Sequence, residues 1–214
     1  MASFGSNRGD KTRPWPVRLN VMTLNAWGNN HWPDREPAMR GLMQNIRPEI
    51  ILLQEASTAI IDCIADTLPH HAYVTDGWDK QPGWCTESNI FYDATLLEEI
   101  EHGFSRLEME DYPDRGLFWM RLRVRAHPER TVFVSTCHLP WPGCRSELVT
   151  GVNQRLLATT KVIRCLQHLL PADEPCILGG DFNEVPLTLT LTLTLTLTLT
   201  LTLTLTLTLT LTLP

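Results

Sequence analysis

An unbroken alternation of leucine and threonine occupies residues 187–213 and confines any cooperative fold to the residues before it. The alternation holds no residue that favours a turn, and a slip of two positions leaves its pattern unchanged. Such a segment specifies no single strand register and has the composition of an aggregation-prone β segment. We therefore expect residues 187–214 to be a low-complexity repeat that promotes self-association, and the preceding residues to hold the folded domain.

Residues 1–186 are long enough for one domain with a sizeable core. They carry every charged side chain, so the net charge of −6 belongs to them and argues against a strongly basic nucleic-acid footprint. Residues 1–16 form a polar leader without an apolar signal core, and no stretch of mixed composition is apolar enough to span a membrane. The six cysteines include no C-x-x-C pair, so we expect reduced thiols and an intracellular protein, cytoplasmic or nuclear.

Hydrophobic periodicity after the leader predicts strands that alternate with helices. Alternating or continuous apolar runs predict strands at residues 17–25, 50–53, 72–75, 88–92, 95–101, 118–125, 131–137 and 176–178. Apolar residues at steps of three and four predict helices at residues 34–47, with Asp34 as the cap, at residues 59–68 and at residues 148–170. Strands interleaved with helices indicate helices packed outside β-sheets.

Polar residues lie at the carboxyl ends of four of the predicted strands, where the rigid strand ends and a loop begins. They are Asn25, Glu55, His138, and Asp181 with Asn183. Functional sites are often assembled at such positions because the strand holds the side chain while the loop is free of core packing. An acid that follows an apolar strand is either paired inside the protein or holds a cation.

Each of these positions also has an ordinary structural interpretation. Asn25 fits a turn former, and Glu55 fits a helix cap or a partner for an arginine. His138 fits a hydrogen-bonded, half-buried ring, and Asp181 fits an Asx turn. Their common placement after strands favours one shared site over four independent structural roles.

The motifs around these positions resemble the endonuclease/exonuclease/phosphatase superfamily. That superfamily includes abasic-site endonucleases, deoxyribonuclease-type nucleases, deadenylases, sphingomyelinases and inositol-phosphate phosphatases. The resemblance covers residues 17–186 and rests on four motifs, TLNAWG at 23–28, LLQE at 52–55, TCHLPWPG at 136–143 and GGDFNEVP at 179–186. It implies an α/β fold, a four-layer α/β/β/α sandwich of two packed mixed sheets.

The resemblance also implies hydrolysis of a phosphate ester by in-line attack of activated water, with Mg²⁺ or Mn²⁺ as cofactor. Glu55 would bind the metal ion, with Asn25 in the same shell. Asp181 would orient or deprotonate the water, and Asn183 would donate a hydrogen bond to the developing charge. His138 would hold a phosphate oxygen or assist proton transfer. The implied substrate is a nucleic acid, a phosphoinositide or a phospholipid head group.

Some further residues are weaker candidates. Asn89 stands where members of the superfamily often carry a site-lining residue, and it is our candidate for substrate binding, with a polar strand position as the alternative. Arg155 is better explained as a surface or salt-bridging residue. Four tryptophans near the motif loops offer surfaces for stacking on a base, packing a lipid-like group or anchoring the fold; they are Trp27, Trp32, Trp84 and Trp141.

The pattern of the superfamily continues past GDFN to a late Asp and a terminal Asp-His or similar pair. In this sequence, no Asp, His, Glu or Asn follows Glu184. We therefore expect a domain that is incomplete at its carboxyl terminus and impaired in hydrolysis. The alternative is a non-catalytic relative or fragment that acts through binding or self-association.

Overall fold

A computed structural model describes residues 18–183 of the chain, so the predicted leader and the Leu-Thr repeat lie outside the described residues. The strands are β1 (Val21–Asn25), β2 (Ile50–Gln54), β3 (His71–Tyr73), β4 (Ile90–Asp93), β5 (Leu97–Arg106), β6 (Gly116–Val124), β7 (His127–His138) and β8 (Cys176–Asp181). The helices are α1 (Glu36–Ile46), α2 (Thr58–Thr67), α3 (Gly83–Thr86), α4 (Arg145–Thr150) and α5 (Gln154–Leu169). Every predicted strand overlaps an observed one, and β5 and β7 are longer than predicted.

The strands form two mixed sheets of four strands each. The first sheet has the order β1-β2-β4-β3, in which β1 and β2 are parallel and the other pairs are antiparallel. The second has the order β5-β6-β7-β8, in which only β7 and β8 are parallel. Each sheet therefore contains one parallel pair, and parallel strands bring their carboxyl ends to the same edge. In register, Asn25 lies beside Gln54, and His138 lies beside Asp181.

The two sheets pack against each other through one apolar core, and helices cover their outer faces. Leu52 and Ile90 of the first sheet meet Phe118 of the second in the central cluster. On the outer face of the first sheet, Ile51 and its neighbours pack against α1 and α2. On the outer face of the second, Leu117 and its neighbours pack against α5. This arrangement confirms the α/β/β/α sandwich. No helix among residues 18–183 has the length and apolarity needed to cross a bilayer.

The prediction that Asp34 caps α1 is wrong. The N-cap is Arg35, which makes no side-chain cap hydrogen bond. Its guanidinium instead donates to carbonyl groups of the preceding loop, among them those of Ala26 and Gly28. The helix therefore begins without a side-chain cap, and a proline lies in its first turn, where proline is favoured.

The single helix predicted over residues 148–170 is two helices. Gly151 adopts the left-handed conformation with φ 68° and ends α4, and the side chain of Asn153 accepts a hydrogen bond from Leu156 N and begins α5. The buried face of α5 consists of Arg155, Ala158 and Val162, while Leu148 is 77% exposed. The leucine periodicity therefore predicts helix formation correctly, but it misses both the break and the buried face.

Candidate active site

The amide of Asn25 joins two carboxylates that come from different sheets. At the end of β1, its Nδ2 donates to Oε1 of Glu55 over 2.9 Å and to Oδ2 of Asp181 over 2.8 Å. Its Oδ1 accepts from the backbone N–H of Trp27 over 2.9 Å, which fixes the end of the amide that faces the carboxylates. Asn25 therefore lies between the two carboxylates as a hydrogen-bond donor, and its side-chain oxygen accepts a hydrogen bond from the backbone of the turn.

Glu55 reaches this position through an unusual backbone conformation. It follows β2 with φ 49°, in the left-handed region that residues other than glycine rarely adopt. Its carbonyl accepts a hydrogen bond from Gly28 N over 2.8 Å, so the loops after β1 and β2 hold each other. Such conformations cost about 1–3 kcal/mol and cluster at functional sites. The carboxylate stays 30% exposed and is therefore open to a ligand.

His138 ends β7 and points its ring into the same cluster. Its side chain is only 3% exposed, and Nδ1 is 2.8 Å from Oε1 of Glu87. A carboxylate can only accept, so this contact places a proton on Nδ1 and leaves Nε2 to face the site. Nε2 lies 3.9 Å from Oε1 of Glu55 and 3.7 Å from Oδ2 of Asp181. Residues from both sheets therefore surround one point.

Glu87 is a site residue that the sequence analysis missed. It is the C-cap residue of α3, and its Oε1 also lies 3.1 Å from Nε of Arg115. Arg115 stacks on the ring of Tyr112 at 4.2 Å and donates to the carbonyl of Leu139 over 3.3 Å. Glu87 does not follow a predicted strand, so no pattern around it marked it. Only the folded chain brings it to His138.

The residues after β8 combine a structural turn with a role in the cluster. Oδ1 of Asp181 accepts from Asn183 N over 2.9 Å, which is the Asx turn that the sequence allowed. Its other oxygen accepts from Asn25. Asn183 has φ 49°, and its Nδ2 donates to the carbonyl of Leu139 over 2.8 Å. The structural and the functional interpretations of Asp181 are therefore compatible.

Two glycines let β8 approach closely enough to place Asp181. A Cβ atom at Gly179 would lie 2.6 Å from Cδ1 of Leu52 in the facing sheet. A Cβ atom at Gly180, where φ is 153°, would lie 2.2 Å from the carbonyl oxygen of Cys137. Both contacts are too short for a real side chain. Packing therefore favours glycine at both positions before Asp181, whether or not the chain turns there.

The thiol of Cys137, next to His138 in the chain, takes no part in the chemistry of the cluster. Burial, together with the negative charge of Asp181, raises its pKa to about 12. The thiol therefore stays protonated at neutral pH and is a poor nucleophile.

The structure does not bring the two weaker candidates into the cluster. Asn89 is fully buried, and its amide donates to the carbonyls of Val74 and Trp84 and accepts from the N–H of Val74. Backbone groups thus occupy both ends of the amide. Arg155 is 8% exposed, and its Nη1 lies 3.3 Å from Oε2 of Glu147, which agrees with a salt-bridging role.

The donor set of the cluster suits a hard divalent cation that keeps part of its water shell. Glu55 and Asp181 hold carboxylates 30% and 20% exposed around the shared amide of Asn25. Among residues 18–183, no group of three or more His, Cys, Asp or Glu side chains is arranged to hold a metal ion. Mg²⁺ is commonly bound by one or two carboxylates together with water and substrate phosphate, whereas Zn²⁺ usually takes three or four protein ligands. The residues present therefore fit Mg²⁺ or Mn²⁺ better than Zn²⁺.

The fold is that of known endonuclease/exonuclease/phosphatase structures. The chain is similar to D. rerio TDP2 complexed with single strand DNA product, at 16% identity and a TM-score of 0.60. It is also similar to the mannosyl-6-phosphatase Bt3783 of Bacteroides thetaiotaomicron, at 22% identity and 0.61, and to the human Nocturnin catalytic domain, at 15% identity and 0.56. Neither a family profile nor a curated protein sequence matches the chain.

Each of these three likenesses covers 78% of this chain. The matched part corresponds to 61% of the TDP2 chain, 66% of the Bt3783 chain and 65% of the Nocturnin chain. The chain thus spans less than two thirds of their lengths.

Proposed function

We propose that this chain belongs to the endonuclease/exonuclease/phosphatase superfamily and is a divalent-metal-dependent hydrolase of phosphate esters. The observation that carries the proposal is the convergence of Asn25, Glu55, His138 and Asp181 from the ends of four strands in two sheets. The fold supports it, because the similar structures include a phosphatase and a complex of TDP2 with a DNA product.

In this proposal, the two carboxylates have different tasks. Glu55 would hold the metal ion, since its carboxylate is the more exposed of the two. Asp181 orients the attacking water and accepts its proton, because its turn with Asn183 leaves one oxygen directed into the cluster. Asn25 keeps the two groups at a constant separation by donating to both.

His138 and Asn183 act on the phosphate. The hydrogen bond of Nδ1 to Glu87 fixes the ring, so that Nε2 is directed at the position between Glu55 and Asp181. In the doubly protonated ring, Nδ1–H donates to Glu87 while Nε2–H donates to a phosphate oxygen or gives its proton to the leaving oxygen. The amide of Asn183 has one N–H on Leu139, which leaves its second N–H for the phosphate.

A bound Mg²⁺ or Mn²⁺ ion would neutralise charge that develops on the phosphate oxygens. Glu55 would hold this ion, with Asn25 and Asp181 beside it. The remaining positions around such an ion are ordinarily filled by water and by the phosphate itself. The substrate class is proposed only as a phosphate ester, with nucleic acid, phosphoinositide and phospholipid head group as candidates.

The direct test measures hydrolysis by the full chain with p-nitrophenyl phosphate and bis(p-nitrophenyl) phosphate, in Mg²⁺, in Mn²⁺ and in EDTA. We expect metal-dependent release of p-nitrophenol. Glu55→Gln and Asp181→Asn should each lower kcat by about 10²- to 10⁴-fold. Asp62→Asn removes an exposed carboxylate of α2 and is the matched control. Mg²⁺ should also raise the thermal unfolding midpoint of the parent chain, and Glu55→Gln should abolish that shift.

Two results would contradict the proposal. One is full activity in both site variants. The other is a folded chain that neither hydrolyses the two esters nor gains stability with Mg²⁺, which would favour a non-catalytic relative that acts through binding.

A further inference from the structure

Trp27 is a half-exposed tryptophan two residues after Asn25 in the chain, and the proposed hydrolysis gives it no role. Of the four tryptophans near the motifs, Trp84 is 2% exposed and packs in the core between the sheets, and Trp32 packs against the core of the first sheet. Trp27 and Trp141 are 50% and 51% exposed. The packing interpretation therefore accounts for Trp32 and Trp84 and leaves the other two unexplained.

The backbone of Trp27 is bound on both sides to the residues of the site. Its own N–H donates to Oδ1 of Asn25 over 2.9 Å, and the N–H of Gly28 donates to the carbonyl of Glu55 over 2.8 Å. Trp27 also has φ 59°, a left-handed conformation that is costly for a bulky residue. The backbone of Trp27 is therefore held beside Asn25 and Glu55, although half of the surface of the residue remains in water.

Arg35 orders the loop that carries this indole. It donates to the carbonyls of Ala26 over 2.9 Å, of Gly28 over 2.8 Å and of Asn30 over 2.7 Å. Its guanidinium carbon lies over the ring of Trp27, 5.4 Å from the centroid. The ring of His31 lies 5.4 Å from the same indole at an angle of 41°. A loop held at this many points presents its aromatic surface with little entropy left to lose on binding.

We propose that the exposed surface of Trp27 is a stacking subsite for the nucleobase of a nucleotide whose phosphate lies between Asn25, Glu55, His138 and Asp181. This inference rests on the proposed function for the position of the phosphate. A base is favoured because the half-exposed side chain of Trp27 is a flat aromatic ring with a second aromatic ring, that of His31, beside it. Stacking on such rings requires only the flat π face that every base has, so it tolerates any sequence.

The test compares two ligands that differ only in the base, adenosine 5′-monophosphate and ribose 5-phosphate, by calorimetric titration of the full chain with Mg²⁺. Stacking of one base corresponds to a factor of about 5 to 150 in affinity. We therefore expect the nucleotide to bind the parent chain more tightly by at least about fivefold. In Trp27→Ala, the ratio of the affinity for the nucleotide to that for ribose 5-phosphate should fall close to one, while the affinity for ribose 5-phosphate stays unchanged. Trp27→Phe should keep part of the ratio.

Trp141→Ala is the matched control, because it removes an equally exposed indole from the loop after His138. This variant should keep the parent ratio. Equal binding of the two ligands to the parent chain, binding of neither at millimolar concentration, or a ratio unchanged in Trp27→Ala would overturn the proposal. Tighter binding of octyl phosphate than of the nucleotide, if it is lost in Trp27→Ala, would also overturn the proposal. If the parent chain binds the nucleotide more tightly than ribose 5-phosphate but has no hydrolytic activity, the stacking subsite is supported and the proposed function is rejected.

Discussion

Nδ1 of His138 donates a hydrogen bond to Oε1 of Glu87 over 2.8 Å, although 51 positions separate the two residues in the chain. Glu87 belongs to the connection that leads into the first sheet, and His138 ends a strand of the second. The contact therefore ties the sheets together at the edge where the polar cluster lies. Because Arg115 also pairs with Glu87, the carboxylate is held from two sides and the imidazole has one available orientation.

Removing the carboxylate of Glu87 should impair turnover more than substrate binding. In Glu87→Ala the ring of His138 loses the acceptor for Nδ1 and with it a defined tautomer and orientation. We expect kcat to fall by about 10²-fold while KM changes little. The measurement is steady-state hydrolysis of bis(p-nitrophenyl) phosphate as a function of pH.

Glu87→Gln is the conservative partner in this experiment, since its amide oxygen still accepts from Nδ1. It should recover a large part of the lost kcat and keep the shape of the pH profile. If both variants hydrolyse the ester like the parent chain, His138 does not depend on Glu87.

Gln54, which precedes Glu55 in the chain, makes a second contact between the two sheets. It is fully buried, and its Nε2 lies 2.7 Å from Oγ1 of Thr136, 3.0 Å from the carbonyl oxygen of Leu52 and 3.1 Å from Oγ1 of Thr23, so its two N–H groups are shared among three acceptors. Gln54→Leu leaves these buried acceptors without their donor. We expect the free energy of unfolding, measured by urea denaturation, to fall by about 1–3 kcal/mol.

The double variant Gln54→Leu with Thr136→Val separates the bond from general disturbance of the core. Replacing both partners by apolar groups removes the unpaired hydroxyl, so the loss should be smaller than the sum of the two single losses. Strict additivity would mean that the bond between the sheets contributes nothing.

Asn89 should prove to be a stability residue. Asn89→Ala opens a buried gap and leaves the backbone groups of Val74 and the carbonyl of Trp84 without their partner. We expect a loss of about 2–4 kcal/mol in the free energy of unfolding, with kcat and KM of the folded protein unchanged. Asn29→Ala, at an exposed position, is the control and should leave both properties intact. A raised KM at unchanged stability would restore the substrate-binding role.

The local signals of the sequence predicted the strands and most of the helices, while the two-sheet sandwich was implied by the resemblance of the motifs to the superfamily. Apolar runs and alternation are consequences of burial on one or two faces, so they mark β2, β6 and their neighbours without reference to the rest of the chain. The polar residues at the carboxyl ends of β1, β2, β7 and β8 were predicted from their positions next to these apolar runs. In the structure, the side chains of these residues lie together; they are Asn25, Glu55, His138 and Asp181.

Long-range contacts decided the remaining features. Glu87 lies in a loop with no periodic signal, so its pairing with His138 exists only once the two sheets have packed. The burial of Asn89 and the orientation of Asn25 likewise depend on neighbours that are distant in sequence. The break at Gly151 lies within the apolar spacing of residues 148–170, which predicted one continuous helix.

Alone, the sequence determined which segments become strands and helices and which polar residues stand at strand ends, because both follow from the chemistry of adjacent residues. Only the tertiary structure decided which atoms of those residues face one another. That choice depends on sheet packing, on the approach of Gly179 to Leu52, and on hydrogen bonds that cross from one sheet to the other.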